Sequence, residues 1–139
     1  MECTVRWGDG MTFVVETGSG HLVTIDGAPE GGGRNLAPRP MEVVLAGAGG
    51  CTAYDVVVIL KKNNQEVEDC EVKLTAERAA SDPKVFTKIH YRFVVRGRNL
   101  KHSLVEQAVR LSHDKYCSAT AILAKTAEIT RELEIVDAA

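Results

Sequence analysis

The sequence predicts an α+β fold in a single domain, residues 1–139, and three observations carry that reading. Short runs of period-two alternation open the chain. One long stretch, Met41 to about Lys62, is apolar nearly all round. Two long alternating runs follow, and helical spacing then returns before a last strand. Strands and helices are therefore segregated and do not alternate as βαβ units.

The opening segment reads as a strand meander. Val5 and Trp7 alternate with Thr4 and Arg6, Asp9-Gly10 marks a tight turn, and Met11, Phe13 and Val15 share one face. Gly18-Ser19-Gly20 breaks that strand, and Leu22 to Ile25 resumes. Residues 27 to 40 form a Gly- and Pro-rich loop, long enough to cover a site.

Pro40 suits the first position of a helix, where its missing N–H is not needed. Arg39 is then the N-cap. Glu42 falls at N3, where a carboxylate can bond back to the N-cap amide and meets the positive helix end. From Val43 to Leu60 only Thr52, Tyr54 and Asp55 interrupt the apolar run. A surface helix would show a recurring polar face, so this one is expected to be central and buried. Its Ala46-Gly47-Ala48-Gly49-Gly50 stretch costs about 1 kcal/mol per glycine relative to alanine. A tight crossing with another backbone beside Cys51 would offset that cost.

After Asn63-Asn64, Cys70, Val72, Leu74 and Ala76 alternate with polar residues, and Val85 to Val95 repeats the pattern after a turn at Ala79–Pro83. These two runs read as a hairpin. A helix is expected from about Lys101 to His113, a short one opening at Cys117-Ser118, and a final strand carrying Ile129, Leu133 and Ile135.

Hydrophobic residues make up 45% and charged residues 26%, which excludes disordered and fibrous classes. A net charge of −2 supplies no basic excess for nucleic acid or an anionic membrane surface, so neither is an expected partner. No apolar run is read as reaching the ~18 residues of a membrane span. The opening residues lack the basic and apolar regions of a signal peptide. The expected location is cytoplasmic, where thiols stay reduced unless one does chemistry.

The four cysteines are therefore the question. They form no CxxC and have no histidine at zinc spacing, so no structural zinc site is expected. Cys3 reads as an incidental thiol near a frayed terminus, and Cys70 as a small hydrophobe on the inner face of its strand. Cys117 sits at a predicted helix N-terminus beside Lys115, an arrangement that would lower its pKa. Cys51 lies mid-helix, inert unless a cation is near, and Arg34 or Arg39 in the preceding loop could supply one. A His113–Cys117 nucleophile pair is a weaker option, because positions i and i+4 across a helix end rarely meet.

The run Ala37-Pro38-Arg39-Pro40-Met41-Glu42 to Cys51-Thr52-Ala53 resembles the central-helix motif of the OsmC/Ohr family, and Lys115-Tyr116-Cys117-Ser118 resembles its second cysteine motif. The resemblance covers essentially the whole chain and is closest to the YhfA-like (OsmC-like) branch. It implies an intertwined homodimer in which antiparallel sheets wrap two long central helices. It implies thiol peroxidase activity on organic hydroperoxides, with Cys51 peroxidatic and Cys117 resolving. A dithiol donor, in some branches a lipoylated protein, would then reduce the disulfide, with no metal, flavin or other cofactor. Peroxidatic members carry a Glu directly after the Pro, paired with an activating loop Arg. Here that position is Met41, and the carboxylate comes one residue later at Glu42, turned by about 100° on a helix. Capping and thiol activation are thus both open roles for Glu42, and Arg34 and Arg39 are both open as its partner. Two further readings stand beside the peroxidase: a non-enzymatic dimer holding a small apolar ligand in its interface pocket, and a bare structural dimer.

Overall fold

The computed structural model describes residues 1–138 and groups the chain into two compact units, Met1–Ala46 and Gly47–Ala139.

The first unit is the expected meander. Strands β1 (Cys3–Trp7), β2 (Phe13–Thr17) and β3 (Leu22–Ile25) form one antiparallel sheet in the order β1-β2-β3. Gly10, at φ +58, makes the turn before β2, and Thr12 N–H closes it onto the Asp9 carbonyl at 2.9 Å. Cys3 is not frayed, as the sequence suggested, but pairs across from Thr17 as the first residue of β1. Asp26 is the one fully buried residue of this unit; its carboxylate accepts N–H bonds from Gly27 (2.7 Å) and Leu36 (3.2 Å) and so ties down the loop.

Helix α1 (Pro40–Lys62) starts at Pro40, with the predicted cap: Arg39 N–H donates to Glu42 Oε1 at 2.9 Å. The expectation of a helix buried all round needs correction. Its fully buried positions are Ala48, Gly49, Thr52, Val56 and Leu60, essentially one stripe at four-residue spacing, while Val44 and Tyr54 are exposed. The glycines divide accordingly. A Cβ on Gly49 would lie 2.8 Å from Leu74 Cδ1, whereas one on Gly47 or Gly50 would meet nothing within 4 Å. By length and composition α1 could also cross a membrane, which corrects the expectation that no run reaches that size. Within this fold its apolar stripe is spent on packing, each buried Val or Leu contributing about 1.5–3 kcal/mol.

The second unit holds the core. Strands β4 (Glu66–Arg78) and β5 (Phe86–Arg98) form the predicted hairpin. Helix α2 (His102–Leu111), a π-helical turn at Ser112–Tyr116 and helix α3 (Ser118–Leu123) then lead to β6 (Glu128–Asp137). Strand β6 pairs with β5 in parallel, so this sheet, ordered β4-β5-β6, is mixed; the expectation of purely antiparallel sheets is overturned. The reason is the connection: the helical segment between β5 and β6 is long enough to return the chain to the same end of the sheet. As the central strand, β5 buries Ile89, Tyr91, Phe93 and Val95 in one alternating row.

Candidate active site

The π-helical turn after α2 sets the site. Leu111 continues into Ser112–Tyr116, the chain then turns extended at Cys117, and Cys117 becomes the N-cap of α3. Its sulfur accepts the Thr120 N–H at 3.4 Å, and its S–H faces Thr120 Oγ1 at 3.1 Å. Tyr91 Oη lies 2.8 Å from the same hydroxyl. Cys117 is thus buried and held on two sides, with its sulfur 4.0 Å from the Ala48 carbonyl of α1.

Cys51 comes from α1, half-buried, and Asp55 follows one turn later on the same face. Cys51 Sγ, Cys117 Sγ and an Asp55 carboxylate oxygen all lie within 4.8 Å of one another. The two cysteines therefore meet within one chain, and both are free thiols. The carboxylate is held from behind. Ser112 Oγ donates its only proton to Asp55 Oδ2 at 3.0 Å, so at the 2.7 Å contact between Thr52 Oγ1 and Ser112 Oγ it is Thr52 that donates. Asp55 also forms part of the wall of a cavity of about 320 Å³, lined further by Val58, Ile59, Leu111, Tyr116, Lys62 and Asn63.

The expected lowering of the Cys117 pKa does not occur. Burial pushes this thiol up, the neighbouring Cys51 adds to the rise, and the Thr120 hydroxyl and amide oppose it. Lys115 stands over the exposed Tyr116 ring, 5.2 Å from its centroid. Burial outweighs a six-residue helix and a solvated cation. Cys70 is pushed up to about 11 by burial and by Asp69, which suits its expected role as an inert strand residue. His113 makes no pair with Cys117. Its ring packs edge-on against Tyr91 and Phe93, both nitrogens lack a hydrogen-bond partner, and burial lowers its pKa to about 4.

The loop residues carry roles of their own within the first unit. Arg34 is paired with Asp9 at 3.2 Å, and Glu42 caps the Arg39 amide. Sequence reasoning missed Asp55 as a site residue. Its signal was present all the same: Asp55 is the single charge in the apolar run of α1, four residues after Cys51.

The family described as OsmC-like protein matches residues 31–132. The chain belongs to the OsmC-like family. Protein YhfA of Escherichia coli K12 is 49% identical over 138 residues, 99% of this chain and 100% of the relative. The crystal structure of a hypothetical protein from Aquifex aeolicus superimposes with a TM-score of 0.86 at 30% identity, over 99% of this chain and 97% of that one. The organic hydroperoxide resistance protein OhrB of Bacillus subtilis shares the fold at a TM-score of 0.62 and 20% identity, over 96% of each chain. The OsmC-like assignment accounts for the two-sheet α+β architecture and for the order of its elements.

Proposed function

We propose that this OsmC-like chain is a thiol peroxidase that reduces organic hydroperoxides through Cys51 and Cys117. The observation that carries the reading is the approach of the two sulfurs to within 4.8 Å, with both thiols free. Cys51, the more open of the two, attacks the terminal oxygen of the hydroperoxide. The O–O bond breaks, the alkoxide leaves with the thiol proton as an alcohol, and Cys51 becomes a sulfenic acid. The Cys117 sulfur then attacks the Cys51 sulfur, the S–O bond breaks, and its proton leaves with the hydroxyl as water, giving a disulfide. An external dithiol, a lipoylated protein in some branches of the family, restores both thiols and is itself oxidised. Burial of Cys117 fits the resolving role, because a thiol held protonated waits for the sulfenic acid and does not compete for peroxide.

The resemblance assigns activation of Cys51 to a loop cation and a carboxylate. Arg34 is committed to Asp9 and Glu42 to the helix cap, which leaves Arg39 as the cation of choice. The active form is a homodimer, supported by the exposed Val5, Trp7 and Leu22 of the first sheet and by the open flank of α1 at Gly47 and Gly50. The proposed location is cytoplasmic, where a reductant keeps the pair as thiols.

Stopped-flow consumption of cumene hydroperoxide by the reduced protein tests the reading. Cys51→Ser is expected to abolish the reaction, Cys117→Ser to keep one turnover without a disulfide, and Arg39→Ala to slow it more than Arg34→Ala. Equal rates for wild type and Cys51→Ser overturn it. The apolar-ligand reading draws on Val58, Ile59, Leu111 and Tyr116 around the 320 Å³ cavity. It would gain if a medium-chain fatty acid bound the reduced protein while Cys51→Ser left hydroperoxide consumption unchanged.

A further inference from the structure

We propose that Cys51, Cys117 and Asp55 together bind a soft divalent cation, zinc above all, with one ion per chain. Three donor atoms from three residues lie within 4.8 Å of one another, two sulfurs and one carboxylate oxygen. Around tetrahedral zinc, with bonds of about 2.3 Å to sulfur and about 2.0–2.2 Å to oxygen, neighbouring donors stand about 3.5–3.8 Å apart. Closing the triad on an ion therefore asks for movements of about 1 Å. Cys51 and Asp55 are one turn apart on one helical face, the i, i+4 spacing by which helices present paired metal ligands.

The surroundings match a ligand set more than a chance meeting. The Asp55 carboxylate is oriented by Ser112, which is oriented in turn by Thr52, and the Cys117 sulfur by the Thr120 amide. Outer hydrogen bonds of this kind fix first-sphere ligands. Among the described residues, Asp55 takes part in no ion pair. Asp55 also lines the cavity of about 320 Å³, so one of the three donors faces open space. Two thiolates select a soft ion over magnesium or calcium, and two sulfurs are too few for an iron–sulfur cluster. The sequence could not show this site whole: Cys51 and Asp55 are four residues apart, but Cys117 lies far along the chain and only the fold sets its sulfur beside the Asp55 carboxylate.

On binding, zinc displaces the protons of Cys51 and Cys117, so two protons are released per ion at the thiols and two zinc–sulfur bonds form with no change in oxidation state. Thiolates engaged this way are withdrawn from attack on a hydroperoxide. The inference does not rest on the peroxidase reading, since binding is read with no peroxide present.

The test uses the full-length, reduced, chelator-stripped protein. Zinc uptake is measured by equilibrium dialysis and proton release by calorimetry in buffers of different ionisation enthalpy. Cobalt(II) is titrated in parallel to read sulfur-to-cobalt charge transfer in the near ultraviolet. One ion per chain, two protons released and a charge-transfer band are expected for wild type. The band is expected to vanish in Cys51→Ser and Cys117→Ser, and affinity to fall at least ~10-fold in Asp55→Asn and ~10–100-fold in Ser112→Ala. Thermal melts in chelator show that the variants fold. Absence of the band in wild type overturns the proposal. So does undiminished uptake in the cysteine variants, which would place the ion on surface groups, or wild-type affinity in Asp55→Asn, which would remove the carboxylate from the site.

Discussion

The two units of this chain hold their hydrophobic residues in opposite ways. In Gly47–Ala139 the strand β5 buries Ile89, Tyr91, Phe93 and Val95 completely, and every residue of the cysteine site comes from the same unit. In Met1–Ala46 every residue of β1 is exposed, with Trp7 at 69% and Leu22 at 71%, and the one fully buried side chain is an aspartate. A sheet with regular backbone pairing and no apolar interior is stable only when something covers it. The difference teaches that the buried core and the cysteine cluster both lie in the second unit, while the first presents exposed apolar side chains.

Core substitution separates the units most strongly. Phe93→Ala is expected to cost about 3–5 kcal/mol in denaturant unfolding. Trp7→Ala is expected to change the stability of the isolated chain by no more than about 0.5 kcal/mol, while weakening self-association in analytical ultracentrifugation. Similar losses for both would erase the contrast.

The pH response should divide in the same way. His113 is neutral in the fold, its pKa lowered to about 4 by burial first and by Arg131 second. The unfolded chain takes up a proton at about 6.5, which the native state refuses, so stability declines as pH falls from about 6.5 to about 4 and then levels. The total is on the order of 3 kcal/mol, and His113→Phe should flatten that window in melts across pH. In the first unit Asp26 has its pKa lowered, chiefly by the Gly27 N–H, so its contribution is present above the usual carboxylate range and lost only at lower pH. Asp26→Asn should leave the window from 6.5 to 4 unchanged.

The glycines of α1 give the smallest and sharpest contrast. Gly50→Ala meets open space and is expected to stabilise the isolated chain by up to about 1 kcal/mol through helix propensity. In Gly49→Ala the new methyl crowds Leu74, which offsets that gain. Thermal melts at low protein concentration compare them. A loss at Gly50 that grows with concentration would locate the second copy on that flank.

Much of this was legible beforehand because it depends on local rules. Alternation gave β4 and β5 their faces, Pro40 and Glu42 placed the start of α1, and Cys117-Ser118 marked the opening of α3. What was not legible is non-local. The parallel pairing of β6 depends on where a crossover returns the chain. One-sided burial of α1 depends on what covers its other flank. The raised pKa of Cys117 depends on its burial in the assembled fold and on Cys51, which α1 brings alongside it. Asp55 was visible as an anomaly in an apolar run, but its meaning required Ser112, which the π-helical turn brings alongside it.

The proposed pairing of Cys51 with Cys117 is tested most directly by mass spectrometry of the reduced protein after one equivalent of an alkyl hydroperoxide. The prediction is a loss of two hydrogens per chain and a single Cys51–Cys117 linked peptide, with the chains running as monomers on a non-reducing gel. Oxidation of Cys3 or Cys70 with Cys51 and Cys117 still reduced, or a disulfide joining two chains, would contradict it.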